Sequence, residues 1–147
     1  MRESIGGAWI LGIVMTFIVL FASFLAISIN YAKAFKVKNN VVDLIEKNEG
    51  MTDNAVSDIY GYLQSQGYIL KGTCSAGYKG FDKNGDTTTD ALYCVKKNNV
   101  NDAALNKAYY SVEVFFRLDL PLMGSVFTFK VTGETMSIYF AEDDYFL

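Results

Sequence analysis

The chain contains no histidine and a single proline, Pro121. Without histidine, no Ser–His or Cys–His nucleophile pair can form, and zinc sites that mix Cys with His are excluded as well. Gly72, Gly77 and Gly80 are not followed by the Lys-Ser/Thr pair of a phosphate-binding loop. We therefore expect no enzymatic activity and no cofactor.

Charge is absent from the N-terminal segment, because no charged residue lies between Glu3 and Lys33. The 29 residues between them are rich in Ile, Leu, Val, Phe and Met, and about 20 apolar residues in a helix are enough to cross a bilayer. The sequence thus predicts one membrane span, with residues 1–32 as the anchor. Trp9 and Tyr31 lie near its two ends, where aromatic side chains favour the membrane interface.

The remainder of the chain is acidic. Four of the 13 Lys and Arg residues and one of the 16 Asp and Glu residues precede residue 39, so the rest carries a net charge of about −6. Because an acidic surface repels phosphate backbones, we do not expect nucleic acid as a partner. Lys33, Lys36 and Lys38 follow the span whereas Arg2 precedes it, and the positive-inside rule alone places the soluble part in the cytoplasm.

The two cysteines, Cys74 and Cys94, both follow the span. A disulfide between them would close a loop of about 20 residues and stabilise the fold by about 3 kcal/mol in the chain-entropy model. Disulfides persist in oxidising compartments, so this pairing predicts an extracellular head, against the positive-inside rule. The alternative is two unpaired, buried cysteines in a cytoplasmic domain. We give the cysteines more weight than the lysines.

Three interpretations of the N-terminus compete. Ala32, Lys33 and Ala34 have the small-x-small spacing of a signal-peptide cleavage site, but the apolar stretch exceeds the ~7–15 residues of a signal core. A short leader would instead be cut at Gly6 or Gly7. We favour the third interpretation, a retained span.

Small residues recur four apart in the span, at Ala8 and Gly12 and again at Ala22 and Ala26. Such pairs let another helix approach closely. Ala and Gly are common in membrane spans in general, and this simpler explanation stays open. The four positions are candidate helix-packing residues.

The helical pattern continues beyond the membrane. Residues 33–50 predict an amphipathic extension, and no Pro or Gly interrupts residues 13–49, so we expect one helix over about 5–48. Such a helix would be roughly 65 Å long. Its apolar stripe comprises Phe35, Val37, Val41, Val42, Leu44 and Ile45.

Residues 51–147 predict an α+β head in which an antiparallel sheet packs on the long helix. Thr52 is a candidate N-cap for a second helix over about 53–66, which Gly67 ends. Strands are predicted at Tyr68–Ser75, Asp90–Lys97, Tyr109–Leu120, Ser125–Thr132 and Thr135–Phe140.

Three further segments of the head have predicted conformations. The last two strands are expected to form a hairpin around Gly133 and Glu134. Asn98–Asn106 predicts a loop with a helical turn. The acidic run Glu142-Asp143-Asp144 predicts a solvated tail.

Asn84 and Gly85 lie almost midway between the cysteines and favour a tight hairpin turn, because both accept positive φ. A two-residue turn there would place Cys74 opposite Val95. Pairing Cys74 with Cys94 then needs one additional residue, in a three-residue loop or a bulge at Gly80.

The same loop carries oxygen-bearing side chains at alternate positions, a spacing that suits calcium in a tight loop. An EF-hand loop would have Gly and Glu where this chain has Thr87 and Tyr93. A solvated hairpin tip built from turn-forming residues is the alternative, and we favour it. The candidate calcium ligands are Asp82, Asn84, Asp86, Thr88 and Asp90.

An N-terminal span with almost no preceding residues, an amphipathic continuation and a disulfide-bearing sheet together resemble pilins and pseudopilins of the type IV filament superfamily. The first 35 residues, MRESIGGAWILGIVMTFIVLFASFLAISINYAKAF, are most similar to TadE-like proteins of tight-adherence pilus systems. Pilins are cut after Gly and usually carry Glu at the fifth mature position. Cutting after Gly6 or Gly7 would place Leu11 or Gly12 there, so the resemblance implies a membrane-resident component rather than a major pilin.

The resemblance implies a pilin-like fold and a non-enzymatic minor pilin-like or assembly component of a pilus or secretion machine. Its partners would be the membrane and other subunits of the machine, contacted through the span and the helix. The alternative is a solitary membrane-anchored extracellular domain that binds or senses a ligand, with calcium in the loop between the cysteines.

Overall fold

The computed structural model describes residues 2–87, 90–100, 106–120 and 124–146, and for residues 2–5, 86–87, 118–120 and 124–127 it describes the backbone alone. The described chain has the predicted α+β class. Its helices are α1 (Arg2–Lys47) and α2 (Asp53–Ser65). Its strands are β1 (Lys79–Asp82), β2 (Gly85–Thr87), β3 (Tyr93–Asn99), β4 (Lys107–Leu120), β5 (Gly124–Glu134) and β6 (Ile138–Tyr139).

Helix α1 is continuous over 46 residues, which corresponds to about 69 Å. It agrees with the single helix predicted over about 5–48. At its end the Gly50 N–H donates to the Ile45 carbonyl over 3.0 Å. Glu49 and Gly50 have φ of 55° and 127°, and this left-handed turn reverses the chain toward α2.

Helix α2 begins and ends as its sequence predicts. The Thr52 hydroxyl oxygen accepts a hydrogen bond from the Ala55 N–H over 3.2 Å, which confirms Thr52 as the N-cap. Gly67 follows the helix with φ of 61°, and the next N–H, of Tyr68, donates to the Leu63 carbonyl. The buried face of α2 consists of Ala55, Val56, Ile59 and Leu63.

The strands form one antiparallel sheet in the order β2-β1-β3-β4-β5. β5 pairs with β4 from Leu120 back to Ser111, and β6 continues along the same edge of β4 at Lys107 and Ala108. The register between β4 and β5 shifts between Leu118 and Asp119. β4 thus pairs with β3 along one edge and with β5 and β6 along the other.

The second part of α1 packs on one face of this sheet. Ala34, Val37, Val41 and Ile45 recur every three or four residues and are buried. Phe35, which was predicted in the apolar stripe, is 45% exposed, because it lies about 100° around the helix from Ala34. The facing side chains on β4 belong to Ala108, Tyr110, Val112, Val114 and Phe116.

Two predicted strand assignments are wrong. Tyr68–Ser75 forms no strand; its contribution to pairing is one isolated bridge from Gly72 to Ala91. The hairpin around Gly133 and Glu134 is also wrong, since β5 continues through both residues while pairing with β4. The chain then follows the edge of β4 into the two-residue β6, where a longer strand was predicted.

The predicted hairpin between the cysteines exists with a shifted turn. β1 and β2 pair with Asp82 opposite Gly85, so Lys83 and Asn84 form the turn. Gly80 pairs in register with Cys94 of β3, and the bulge proposed at Gly80 is absent from that pairing. The predicted loop at 98–106 falls largely on residues 101–105, which lie outside the described residues.

The segment between α2 and β1 covers the opposite face of the sheet. Cys74 in this segment forms the predicted disulfide with Cys94, with a Cα–Cα distance of 5.6 Å. The Ser75 N–H donates to the Glu113 carboxylate of β4 over 3.1 Å. The Glu113 carboxylate also lies 3.7 Å from the Lys130 ammonium of β5. The Lys130 ammonium also donates a hydrogen bond to the Ser75 hydroxyl over 3.0 Å. The disulfide and the two hydrogen bonds to Ser75 therefore fasten this segment to β3, β4 and β5.

Gly72 brings the same segment into contact with a buried ring. A Cβ atom on Gly72 would lie 2.5 Å from the Phe115 ring, whose side chain is 1% exposed. Real Cβ atoms do not approach other atoms so closely, so the crossing requires glycine at this position.

We predict that Gly72→Ala destabilises the protein by about 1–3 kcal/mol, the usual cost of overpacking a buried site. Gly61→Ala is the matched control, because a Cβ on Gly61 of α2 would meet nothing within 4 Å. This control should stabilise the protein by about 0.5–1 kcal/mol through the preference of helices for Ala. Denaturant unfolding of the full chain in detergent measures both changes. Equal stability of the two variants would contradict the contact with Phe115.

Candidate membrane-anchoring site

The first part of α1 has almost no contact with the head. Its large apolar side chains are exposed, including Trp9 (73%), Phe17 (70%) and Phe24 (64%). Among the described residues, α1 is the one helix long and apolar enough to cross a membrane, and none of its most apolar window is buried against the chain. These features are consistent with single-pass membrane anchoring.

Three hydroxyl groups in this part of α1 have hydrogen-bond acceptors within the helix itself. Thr16, Ser23 and Ser28 each donate a hydrogen bond of 2.9 Å to the carbonyl four residues earlier. Because hydrocarbon offers no hydrogen-bond partner, polar groups in a span need internal ones. These three side chains can therefore face lipid without a partner subunit.

The distance between the aromatic residues at the two ends of the apolar part is close to the thickness of a bilayer. Trp9 and Tyr31 are both exposed, and their separation in sequence corresponds to about 33 Å of helix. The hydrocarbon core is about 30 Å thick. Both rings would therefore lie near the two interfaces.

Two of the four predicted helix-packing residues flank an open groove. Ala8 and Gly12 line it together with Trp9, Ile13 and Thr16. Nothing lies within 4 Å of the position a Gly12 Cβ would take. Ala22 is exposed and Ala26 is half-buried. Close packing of another helix at these residues stays a prediction, as does leader cleavage at Gly6 or Gly7, which both lie within α1.

An aromatic cluster joins the apolar part of α1 to the head. The Tyr31 ring contacts the Phe116 ring edge-on, with 6.2 Å between centroids, and the Phe35 ring at 6.4 Å. Phe116 of β4 stacks in turn on Phe129 of β5 at 5.4 Å. β4 therefore runs toward the membrane end of the head, and its backbone continues past Phe116 to Leu120.

The candidate calcium loop is described in part. The Asp82 carboxylate accepts a hydrogen bond from the Asn84 N–H over 2.7 Å, which is the pattern of a solvated turn. The Asp86 side chain and the whole of Thr88 lie outside the described residues. Within the described part of the chain, no three acidic or sulfur ligands come together as a metal site. Calcium binding stays a prediction.

Asp144 is buried, and the prediction of a solvated acidic tail is wrong at this residue. Its side chain is 0% exposed and lies 3.1 Å from the Lys97 ammonium, which is 8% exposed. The Tyr110 hydroxyl also donates to this carboxylate. Burial, and then the Asp144 carboxylate, raise the pKa of Tyr110. Tyr145 and Phe146, which follow directly, were the sequence signal that the segment packs on the core.

The C-terminal segment also holds the turn between the helices. The Ala141 N–H donates to the Glu49 carbonyl over 2.9 Å, and the Tyr145 N–H donates to the Met51 carbonyl over 2.8 Å. The Tyr145 hydroxyl reaches the Asp53 carboxylate at 2.5 Å. The far end of α1, the start of α2 and the sheet are thus connected through residues 141–146.

Comparisons with models of protein families, with curated proteins and with solved structures find no match for this chain. The resemblance of the N-terminal residues to TadE-like proteins stays a prediction.

We predict that Asp144→Asn destabilises the head by about 3–5 kcal/mol, because it leaves the buried Lys97 ammonium without its counter-charge. Asp143→Asn is the matched control, since Asp143 is exposed, and should have little effect. Urea unfolding monitored by circular dichroism gives both values. If the two variants unfolded at the same urea concentration, the buried ion pair would not be supporting the head.

The head should lose stability at alkaline pH through Tyr68. Its hydroxyl donates to the Phe115 carbonyl over 2.5 Å, and burial raises the pKa of Tyr68 to about 12. An unfolded tyrosine ionises near pH 10, so between pH 10 and 12 the unfolded state loses a proton that the folded state retains. This contribution to stability is complete below pH 10 and disappears as the pH rises through 12. Tyr68→Phe should flatten the decline, whereas Tyr139→Phe, at an exposed side chain, should leave it unchanged. Unfolding midpoints measured from pH 9 to 12 test this prediction. If the two variants lost stability equally with rising pH, the loss would not come from Tyr68.

Proposed function

We propose that this protein is a membrane-anchored, non-enzymatic structural subunit of a pilus or secretion machine, similar in role to TadE-like proteins. The observation that carries the proposal is the unbroken helix α1. Its second part is built into the core of the head, so the apolar first part cannot move independently of it. A rigid apolar rod fixed to a compact head suits a subunit that packs beside others in a bilayer.

The location of the head follows from two conflicting features. The Cys74–Cys94 disulfide supports an extracellular head, because such bonds persist in oxidising compartments. Lys33, Lys36 and Lys38 favour the opposite orientation. We propose the extracellular location, since the disulfide joins the segment after α2 to β3 and is part of the fold of the head.

Two surfaces of α1 are proposed to contact other subunits. The first is the groove at Ala8 and Gly12 within the membrane, where a second helix could approach closely. The second is the solvent side of the extension, where Phe35 is 45% exposed and Lys36 is also exposed. An exposed aromatic ring beside a cation is suited to an interface with a neighbouring head.

A charge in the centre of the span should prevent anchoring and assembly. Val19→Asp places a carboxylate at the centre of the span among exposed apolar side chains, at a cost of about 3 kcal/mol in a membrane helix. Ile27→Asp places one nearer the Tyr31 end, where the cost is smaller. Val19→Leu is the matched control and should behave as the unaltered chain. Membrane fractionation reports anchoring, and a Gly12→Cys cross-link in native membranes reports neighbours.

Two results would contradict the proposal in different ways. If Val19→Asp still entered membranes and cross-linked normally, packing of the span would not drive assembly. If the unaltered chain entered membranes but never cross-linked to itself or to other subunits, the protein would be the solitary binding or sensor domain instead.

A further inference from the structure

A cavity of about 220 Å³ lies where the apolar part of α1 meets the head. Three segments of the chain form its walls. α1 contributes Asn30 and Lys33, the turn after α2 contributes Tyr68 and Ile69, and β4 contributes Phe116 and Arg117.

The cavity carries two positive charges. Lys33 and Arg117 both line it, and none of the described residues that line it is acidic. Neither residue belongs to an ion pair between described residues. The Lys33 ammonium lies 5.8 Å from the centre of the Tyr68 ring, a contact that leaves its charge open to an anion. An Arg guanidinium presents paired N–H groups that match the geometry of a phosphate.

The position of the cavity along α1, relative to the membrane interface, indicates which kind of anion it would bind. Lys33 is the first charged residue after the uncharged segment, and the exposed Tyr31 ring lies half a turn below it. Ile69 on the wall of the cavity is 51% exposed, which suits contact with an apolar phase. If α1 spans the membrane as proposed above, the cavity lies at the level of the lipid phosphates.

We propose that this cavity binds the phosphate group of an anionic phospholipid. Lys33 and Arg117 supply the charge, the Asn30 amide supplies a further donor, and the acyl chains lie along the apolar surface of α1. A bound lipid would hold the head at one height and orientation above the bilayer, which is what lateral packing of heads requires.

The test measures lipid binding to the full chain in uncharged detergent. Phosphatidylglycerol, phosphatidylcholine and glycerol phosphate are titrated separately, with retained lipid counted by native mass spectrometry and the melting temperature recorded in parallel. Phosphatidylglycerol should bind and raise the melting temperature, whereas phosphatidylcholine and glycerol phosphate should bind much more weakly. The double variant Lys33→Gln/Arg117→Gln should lose affinity about fivefold for each cation, on the order of 25-fold in total.

The matched control is Lys47→Gln/Lys83→Gln, which removes the same charge at two exposed positions away from the cavity. Equal loss of phosphatidylglycerol binding in both double variants would overturn the proposal, because binding would follow net charge alone. Glycerol phosphate binding as tightly as the lipid would also overturn it, in favour of a soluble anion. Membrane fractionation separates this outcome from failure of the proposed function: a chain that enters membranes without selecting phosphatidylglycerol loses the lipid site and keeps its anchor.

Discussion

Packing of α1 on β4 fixes the position of everything else in the molecule. Ala34, Val37, Val41 and Ile45 form one face of the helix, and alternate side chains of β4 form the surface that receives them. Because one helix supplies both the membrane segment and a wall of the core, the head cannot unfold from α1 without exposing its own interior. The same contact therefore stabilises the head and fixes the angle at which the membrane segment leaves it.

Two further sets of interactions hold peripheral segments of the head on the sheet. On the outer face of the sheet, the disulfide and Gly72 hold the segment after α2 against Phe115. At the end remote from the span, the buried pair of Asp144 and Lys97 holds the C-terminal segment on β3. Backbone hydrogen bonds from Ala141 and Tyr145 join the same segment to the turn between the helices. A head of this size has a modest hydrophobic core. The disulfide and the buried ion pair add stability to a domain that is joined to a long helix.

Local periodic patterns in the sequence predicted the helices well, whereas strand pairing between distant segments was predicted poorly. The uncharged segment, the stripe of α1 and the Thr52 cap are local patterns, and all four helix ends lie within three residues of their predicted positions. Strand pairing depends on partners far along the chain, so the hairpin at Gly133 and the strand at Tyr68–Ser75 were wrong. Asp144 was missed because its partner, Lys97, is 47 residues away, and the cavity at Lys33 and Arg117 unites three distant segments in the same way.

Cysteine scanning along α1 in native membranes tests the central claim most directly, namely that one rigid helix passes from lipid into the core of the head. Both native cysteines are in a disulfide, so single introduced thiols from Gly6 to Lys47 can be alkylated selectively with a water-soluble reagent. The account predicts continuous protection from about residue 10 to residue 30. Beyond that it predicts a helical period, with Lys36, Asn39 and Asp43 labelled and Val37, Val41 and Ile45 protected. Labelling that followed a helical period through residues 10–30 would contradict it, because that segment would then lie at a water-exposed protein surface.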